Sequence, residues 1–204
     1  REELEKTLAL LDGGRRCWAF SSGMAAIGAL LKLFVPGDHV LLSEDLYGGT
    51  ARLCNQVYSR YGITFEYVDT AEPELVRQHI RPETRGIFIE TPSNPMMKIS
   101  DIRSLAALAH AQHAILIVDN TFLSPHFQQP LTLGADLVVY SGTKYLCGHN
   151  DVVAGFIVSR DLPALIEPLD QIYKAEGASL GPFDSWLMLR SIKTLGLGVE
   201  RQAA

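Results

Sequence analysis

Six short apolar runs, at residues 39–42, 63–68, 86–90, 114–119, 137–140 and 155–158, recur along the chain with longer stretches of helical period between them. Several are apolar without alternation and rich in Ile and Val, as strands are when helices cover both faces of their sheet. Strand and helix signals in alternation make βαβ units, so the expected fold is α/β, a mainly parallel sheet sandwiched by helices. Met24, Ile27, Leu31 and Phe34 fall on one helical face before a Pro36-Gly37 stop. Ile102, Leu105, Ala106 and Ala109 repeat that pattern after Ser100-Asp101, which can cap a helix start. Residues 50–61 and 183–195 also read as helices, and the charged start, Arg1 to Lys6, is helix-prone.

The 204 residues, 47% hydrophobic and 20% charged, suffice for one sizeable core, and 17 glycines and 10 prolines without a period exclude collagen-like or low-complexity chains. A formal net charge of -5 argues against a nucleic-acid partner. The longest apolar stretch is broken by Lys32, and the charged start lacks the basic-then-apolar order of an export signal. No membrane partner is therefore expected, and a cytoplasmic location is. Cys17, Cys54 and Cys147 are odd in number and far apart, which suits a reducing compartment better than a disulfide framework or a metal knuckle.

Polar residues gather where the strands should end: Glu90 and Asn94, then Asp119 and Asn120, then Ser141, Thr143 and Lys144. In open α/β sheets ligands bind outside the carboxyl ends of the strands. A lysine there, partly out of water, suits Schiff-base chemistry, although most loop lysines are simply solvated. Asp119 stands 25 residues before Lys144, about one βαβ crossover, and so reaches the same edge. A buried aspartate needs a partner: a protonated pyridine nitrogen, or else a backbone N–H or a nearby arginine. Lysine and aspartate together suggest pyridoxal phosphate. Ser21-Ser22-Gly23-Met24 opens an apolar helix whose free N–H groups suit a phosphate, and equally reads as a plain N-cap serine. Ser141 and Thr143 offer hydroxyls to the same phosphate or bond only backbone, and Tyr47 offers a ring for stacking or fills a turn beside Gly48 and Gly49.

Five segments carry a resemblance: Ser21-Ser22-Gly23-Met24, Tyr47-Gly48-Gly49-Thr50, the stretch from Glu90 to Pro95, that from Val118 to Phe122, and that from Ser141 to Gly155. In this order the chain resembles the Cys/Met metabolism pyridoxal-phosphate enzymes, the trans-sulfuration family, over nearly all its length; the stretch from Gly181 to Leu195 resembles the way out of that family's large domain. The resemblance implies the large domain of a fold-type-I pyridoxal-phosphate enzyme. It assigns Lys144 as the Schiff-base lysine and proton carrier, and Asp119 as the partner of the pyridine nitrogen. The amides of Gly23 and Met24 and the hydroxyls of Ser141 and Thr143 would bind phosphate. Tyr47 would stack on the ring and act as a candidate acid/base, Asn94 would contact the ring hydroxyl, and Glu90 would play a supporting role. Cys147 and His149 have the look of a metal pair, but the family pattern makes that segment structural, and no metal is expected.

Two features of the family have no match in these residues: an N-terminal arm with a Tyr-x-Arg that reaches a neighbouring subunit's phosphate, and a C-terminal domain whose Arg holds the substrate carboxylate. Residues 1–204 are thus expected to be the large cofactor-binding domain without those parts; Arg190 and Arg201 lie in the exit segment and are not given the carboxylate role. Gly49 stands where methionine γ-lyases carry a cysteine, which favours a cystathionine β-lyase or γ-lyase, a carbon-sulfur lyase acting by elimination on a small sulfur amino acid. The alternatives are a cystathionine γ-synthase acting on an O-acylhomoserine, and a catalytically silent domain. A nucleotide-binding domain would need a GxGxxG or GxxxxGK[ST] turn, and neither occurs. The resemblance also implies a homotetramer of catalytic dimers.

Overall fold

In the computed structural model, which describes residues 1–204, α1 (Glu2–Leu11) leads into β1 (Arg16–Phe20), α2 (Gly23–Leu31) and β2 (His39–Ser43). Then come α3 (Gly48–Gln56), a 3-10 turn at Tyr58–Tyr61, β3 (Thr64–Val68), α4 (Pro73–His79), β4 (Thr84–Glu90), α5 (Ile102–Ala111) and β5 (Ile115–Asp119). The short α6 (Ser124–Phe127) and a 3-10 turn at Pro130–Leu133 bring the chain to β6 (Leu137–Ser141) and β7 (Gly155–Ser159). α7 (Pro163–Glu176), α8 (Pro182–Ile192) and α9 (Leu195–Ala203) follow.

The strands form one sheet in the order β1-β7-β6-β5-β4-β2-β3. β3, β2, β4, β5 and β6 pair in parallel, whereas β7 runs antiparallel to both β6 and β1. The expected α/β class with a mainly parallel sheet between helices is what the chain adopts, with β7 alone reversed. Side chains alternate across the pleat, which splits the core into two layers. Trp18, Leu42, Phe88, Ile117 and Val139 pack beneath α2 and α7, while Leu41, Ile87, Val118, Val138 and Phe156 pack against α1, α5 and α8. Burial on both faces is the reason the runs show no alternation.

Burial and capping play different parts in α2. Ile27, Leu30 and Leu31 are buried, each stabilising by roughly 1.5–3 kcal/mol. The Ser22 side chain accepts the Ala25 N–H at 3.1 Å, a cap worth about 1 kcal/mol. Packing therefore holds the helix, and the cap decides where it begins. α5 starts as its Ser100-Asp101 signal predicts, with Asp101 accepting the N–H groups of Arg103 and Ser104. The helix expected at 50–61 instead begins at Gly48 and gives way after Gln56 to a 3-10 turn.

β1 is not foreseen from its composition. Arg16-Cys17-Trp18-Ala19-Phe20 has no β-branched residue and no period; it becomes a strand because it pairs residue for residue with β7 and buries Trp18 and Phe20. α4 and α7 likewise lie outside the helices expected from the sequence. α7 holds Pro168 inside it and buries only Leu169 and Tyr173, so its apolar stripe is narrow. No helix is long and apolar enough to cross a membrane.

Candidate active site

Parallel strands of one sense end on one edge, and here the ends of β4, β5 and β6 place Glu90, Asp119 and Ser141 there. β7, running the other way, starts at that edge, with Gly155 opposite Ser141. Between this edge and the start of α2 lies a cavity of about 300 Å³. All eight residues read from the sequence line it: Gly23, Met24, Tyr47, Asn94, Asp119, Ser141, Thr143 and Lys144.

Asp119 is buried, and its Oδ1 accepts both the N–H of Thr121 at 3.0 Å and the Thr121 hydroxyl at 2.6 Å. Thr121 Oγ1 in turn accepts the Ser141 N–H at 2.9 Å, so β5 and β6 are tied together beside the carboxylate. Oδ2 forms no such bond and is left to the cavity. Glu90 is the direct neighbour of Asp119 across the β4–β5 pair, and it too is buried. Burial, with Asp119 and Asp45 nearby, pushes the Glu90 carboxyl well above the ordinary carboxylate range. Burial raises Asp119 as well, but the two Thr121 hydrogen bonds favour its ionised form and hold it back. Two carboxylates side by side do not both ionise readily, so Asp119 is the charged member of the pair and suits a cationic partner in the cavity.

The anion end is made by α2. Ser22 spends its side chain on Ala25, which bears out the plain capping role, while the first-turn amides of Gly23 and Met24 have no partner within the helix. A Cβ on Gly23 would stand 3.2 Å from both Cα and Cβ of Ser141, and one on Gly155 only 2.1 Å from the Ser22 carbonyl oxygen. Three chain segments therefore meet at contact distance without side chains between them, and backbone N–H groups and the Ser141 hydroxyl can approach a small anion together.

Thr143 bonds backbone, one of the two readings its sequence leaves open, and still lines the cavity. The Thr143 hydroxyl accepts the Ala154 N–H at 3.1 Å and donates to the Ala154 carbonyl at 3.3 Å, so it fastens the loop that leads into β7 as well as facing the cavity. Lys144 lines the cavity and is exposed, as most loop lysines are. It is held by its turn, its N–H donating to Ser141 O at 3.2 Å and its carbonyl accepting the Gly148 N–H at 2.8 Å. Cys147 is buried with its thiol on Asp151, His149 bonds the Cys147 carbonyl, and these residues do not gather into a set of three that could hold a metal. Arg190 and Arg201 are exposed and do not line the cavity. Sequence reasoning passed over Thr121 as a functional residue; a hydroxyl two residues after a strand-end aspartate is the signal that would have found it.

The sequence pattern described as "Cys/Met metabolism PLP-dependent enzyme" matches residues 1–204. The chain is 52% identical over 200 residues to the cystathionine gamma-lyase of Bacillus subtilis (strain 168), covering 98% of this chain and 52% of that protein. It is 47% identical over 204 residues to the cystathionine gamma-synthase/O-acetylhomoserine (thiol)-lyase of the same organism, covering all of this chain and 54% of that one. A crystal structure of cystathionine gamma-lyase from Lactobacillus plantarum complexed with L-serine superposes with a TM-score of 0.93 at 44% identity, over 95% of this chain and 51% of that one. The chain spans about half the length of the curated relatives it matches. By sequence and by fold, the chain belongs to the Cys/Met metabolism PLP-dependent enzyme family.

Proposed function

We propose that residues 1–204 form the large cofactor-binding domain of a carbon-sulfur lyase that cleaves cystathionine or a related thioether amino acid by elimination. One observation carries this reading: a lysine, a buried aspartate and a helix-start anion cradle share one cavity at the carboxyl edge of the sheet. That donor set fits pyridoxal 5'-phosphate, the family's cofactor. The side-chain-free approach of Gly23 to Ser141 suits a phosphate, the unpartnered Oδ2 of Asp119 suits a protonated ring nitrogen, and the Lys144 amine suits the aldehyde. When bound, the cofactor supplies an electron sink for the carbanion formed at an amino acid's Cα.

The chain's own residues divide the remaining work. Gly23, Met24 and Ser141 hold the phosphate, with Thr143 at the same wall, and Asp119 keeps the ring nitrogen protonated. Asn94, on the loop after β4, and Tyr47 both line the cavity; Asn94 would contact the ring hydroxyl, and Tyr47 would stack on the ring and act as a candidate acid/base. Lys144, on a turn over the cavity, takes the Cα proton at Nζ and returns it. The partner is a small sulfur amino acid, the full enzyme is a homo-oligomer, and the setting is the cytoplasm.

Borohydride reduction of the protein loaded with pyridoxal phosphate, followed by peptide mapping, tests the site: label on Lys144 is the expected result, and label elsewhere or none refutes it. Cystathionine should yield a keto acid. The relative with a gamma-synthase name supports a second reading, γ-replacement on an O-acylhomoserine. Cystathionine formed from that substrate plus cysteine would favour the synthase over the lyase.

A further inference from the structure

Tyr47 is 49% exposed, so burial does not hold its ring where it stands. Its backbone is held instead. The Tyr47 N–H donates to Glu90 Oε2 at 2.7 Å, across 43 residues of sequence, and the Tyr47 carbonyl accepts the Thr50 N–H at 2.9 Å as α3 begins. A second tie fastens the same turn to the loop after β4: Asp45 Oδ2 accepts the Ser93 hydroxyl at 2.5 Å and the Met96 N–H at 2.9 Å. The ring itself rests over Gly49. A Cβ there would meet Tyr47 Cε1 at 2.4 Å, Tyr47 Cδ1 at 3.0 Å and Met24 Sδ at 3.1 Å.

We propose that Glu90 is a positioning residue that seats Tyr47 over the cofactor cavity through the Tyr47 backbone, while the bare Cα of Gly49 leaves the ring its place. This rests on the function proposed above. Glu90 acts here as an acceptor rather than as an anion. Burial first, then Asp119 on β5 and Asp45 in the turn, disfavour its charge, and a neutral carboxyl still accepts an N–H. Glutamine at position 90 keeps that acceptor, and alanine removes it.

A double-mutant cycle on pyridoxal phosphate affinity, read by equilibrium dialysis, tests the proposal. Tyr47→Ala should weaken binding by roughly three- to tenfold, the worth of an aromatic pair. Glu90→Ala should weaken it comparably, Glu90→Gln should stay within about twofold of wild type, and Glu90→Ala with Tyr47→Ala should lie within about twofold of the weaker single variant, because both act through one ring. Losses that multiply in the double variant, or a Glu90→Gln as weak as Glu90→Ala, overturn the proposal. If Glu90→Ala does not fold, Gly49→Ala replaces it in the cycle with the same non-additive result expected. Wild-type protein that takes up no pyridoxal phosphate refutes the proposed function. Uptake with Lys144 labelled but Tyr47→Ala neutral refutes only the seating.

Discussion

Gly155→Ala tests whether backbone contact builds the anion cradle. The added Cβ would stand 2.1 Å from Ser22 O, 2.4 Å from Ser22 C and 2.7 Å from Gly23 Cα. All three are backbone atoms, so no side chain can rotate away. Ordinary contact requires β7 and the start of α2 to separate by about 1 Å, and forced overpacking of a close-packed site costs typically 1–3 kcal/mol. The upper end applies here, because both neighbours are anchored, α2 by its buried Ile27, Leu30 and Leu31 and β7 by pairing on both edges. The same shift takes the Gly23 and Met24 amides out of hydrogen-bond reach of an anion held against Ser141. Hydrogen bonds to charged groups contribute about 1.5–3 kcal/mol each, so losing two should weaken pyridoxal phosphate binding at least roughly 100-fold. Urea denaturation of the cofactor-free protein and equilibrium dialysis of the cofactor measure the two effects separately. Gly177→Ala is the control: Gly177 has φ +66 with nothing within 4 Å of an added Cβ, so it should cost about 1 kcal/mol of left-handed strain and leave affinity unchanged. A Gly155→Ala protein within about 0.5 kcal/mol of wild type and with wild-type affinity refutes the reasoning.

Thr121→Val removes the hydroxyl that donates to Asp119 and accepts from Ser141, so the Asp119 carboxyl should rise further and the acid limb of cofactor affinity should move to higher pH in a pH titration. An unmoved limb counts against Thr121 as the support of Asp119. Asp12, fully buried with Tyr140 donating to Oδ2 at 2.7 Å, is pushed by burial up to about 7. A carboxyl raised on folding lends its full stability below the ordinary carboxylate range and loses it as pH rises through about 7. Wild type should therefore fall by roughly 2.5 kcal/mol against Asp12→Asn between pH 5 and pH 8 in urea melts, and parallel curves would refute the assignment.

The α/β class and most of the cavity residues were legible because they depend on short-range signals: apolar runs without alternation, Gly and Ser at a helix start, polar residues just past a strand; Tyr47 carries none of these and rests on the resemblance of Tyr47-Gly48-Gly49-Thr50. What stayed hidden depends on distant partners. Arg16–Phe20 has only the weak strand signal of Trp18 and Phe20, with no β-branched residue, and forms β1 by pairing in register with β7. Whether Thr143 bonds backbone stays open until Ala154 is folded onto it. Whether Lys144 is solvated or partly out of water stays open until its place on the cavity wall is seen.

By itself the sequence determined which chemistry the chain carries, since a lysine, an aspartate and a glycine-opened helix keep their character wherever they stand. Only the tertiary structure decided how they bear on one another. Parallel register set Glu90 beside Asp119, so that one of two carboxyls is charged. The reversal of β7 brought Gly155 against Ser22, and a hydrogen bond spanning 43 residues tied Tyr47 to the end of β4. Local pattern encodes composition along one element, whereas distances between elements exist only once the sheet has chosen its order and its register.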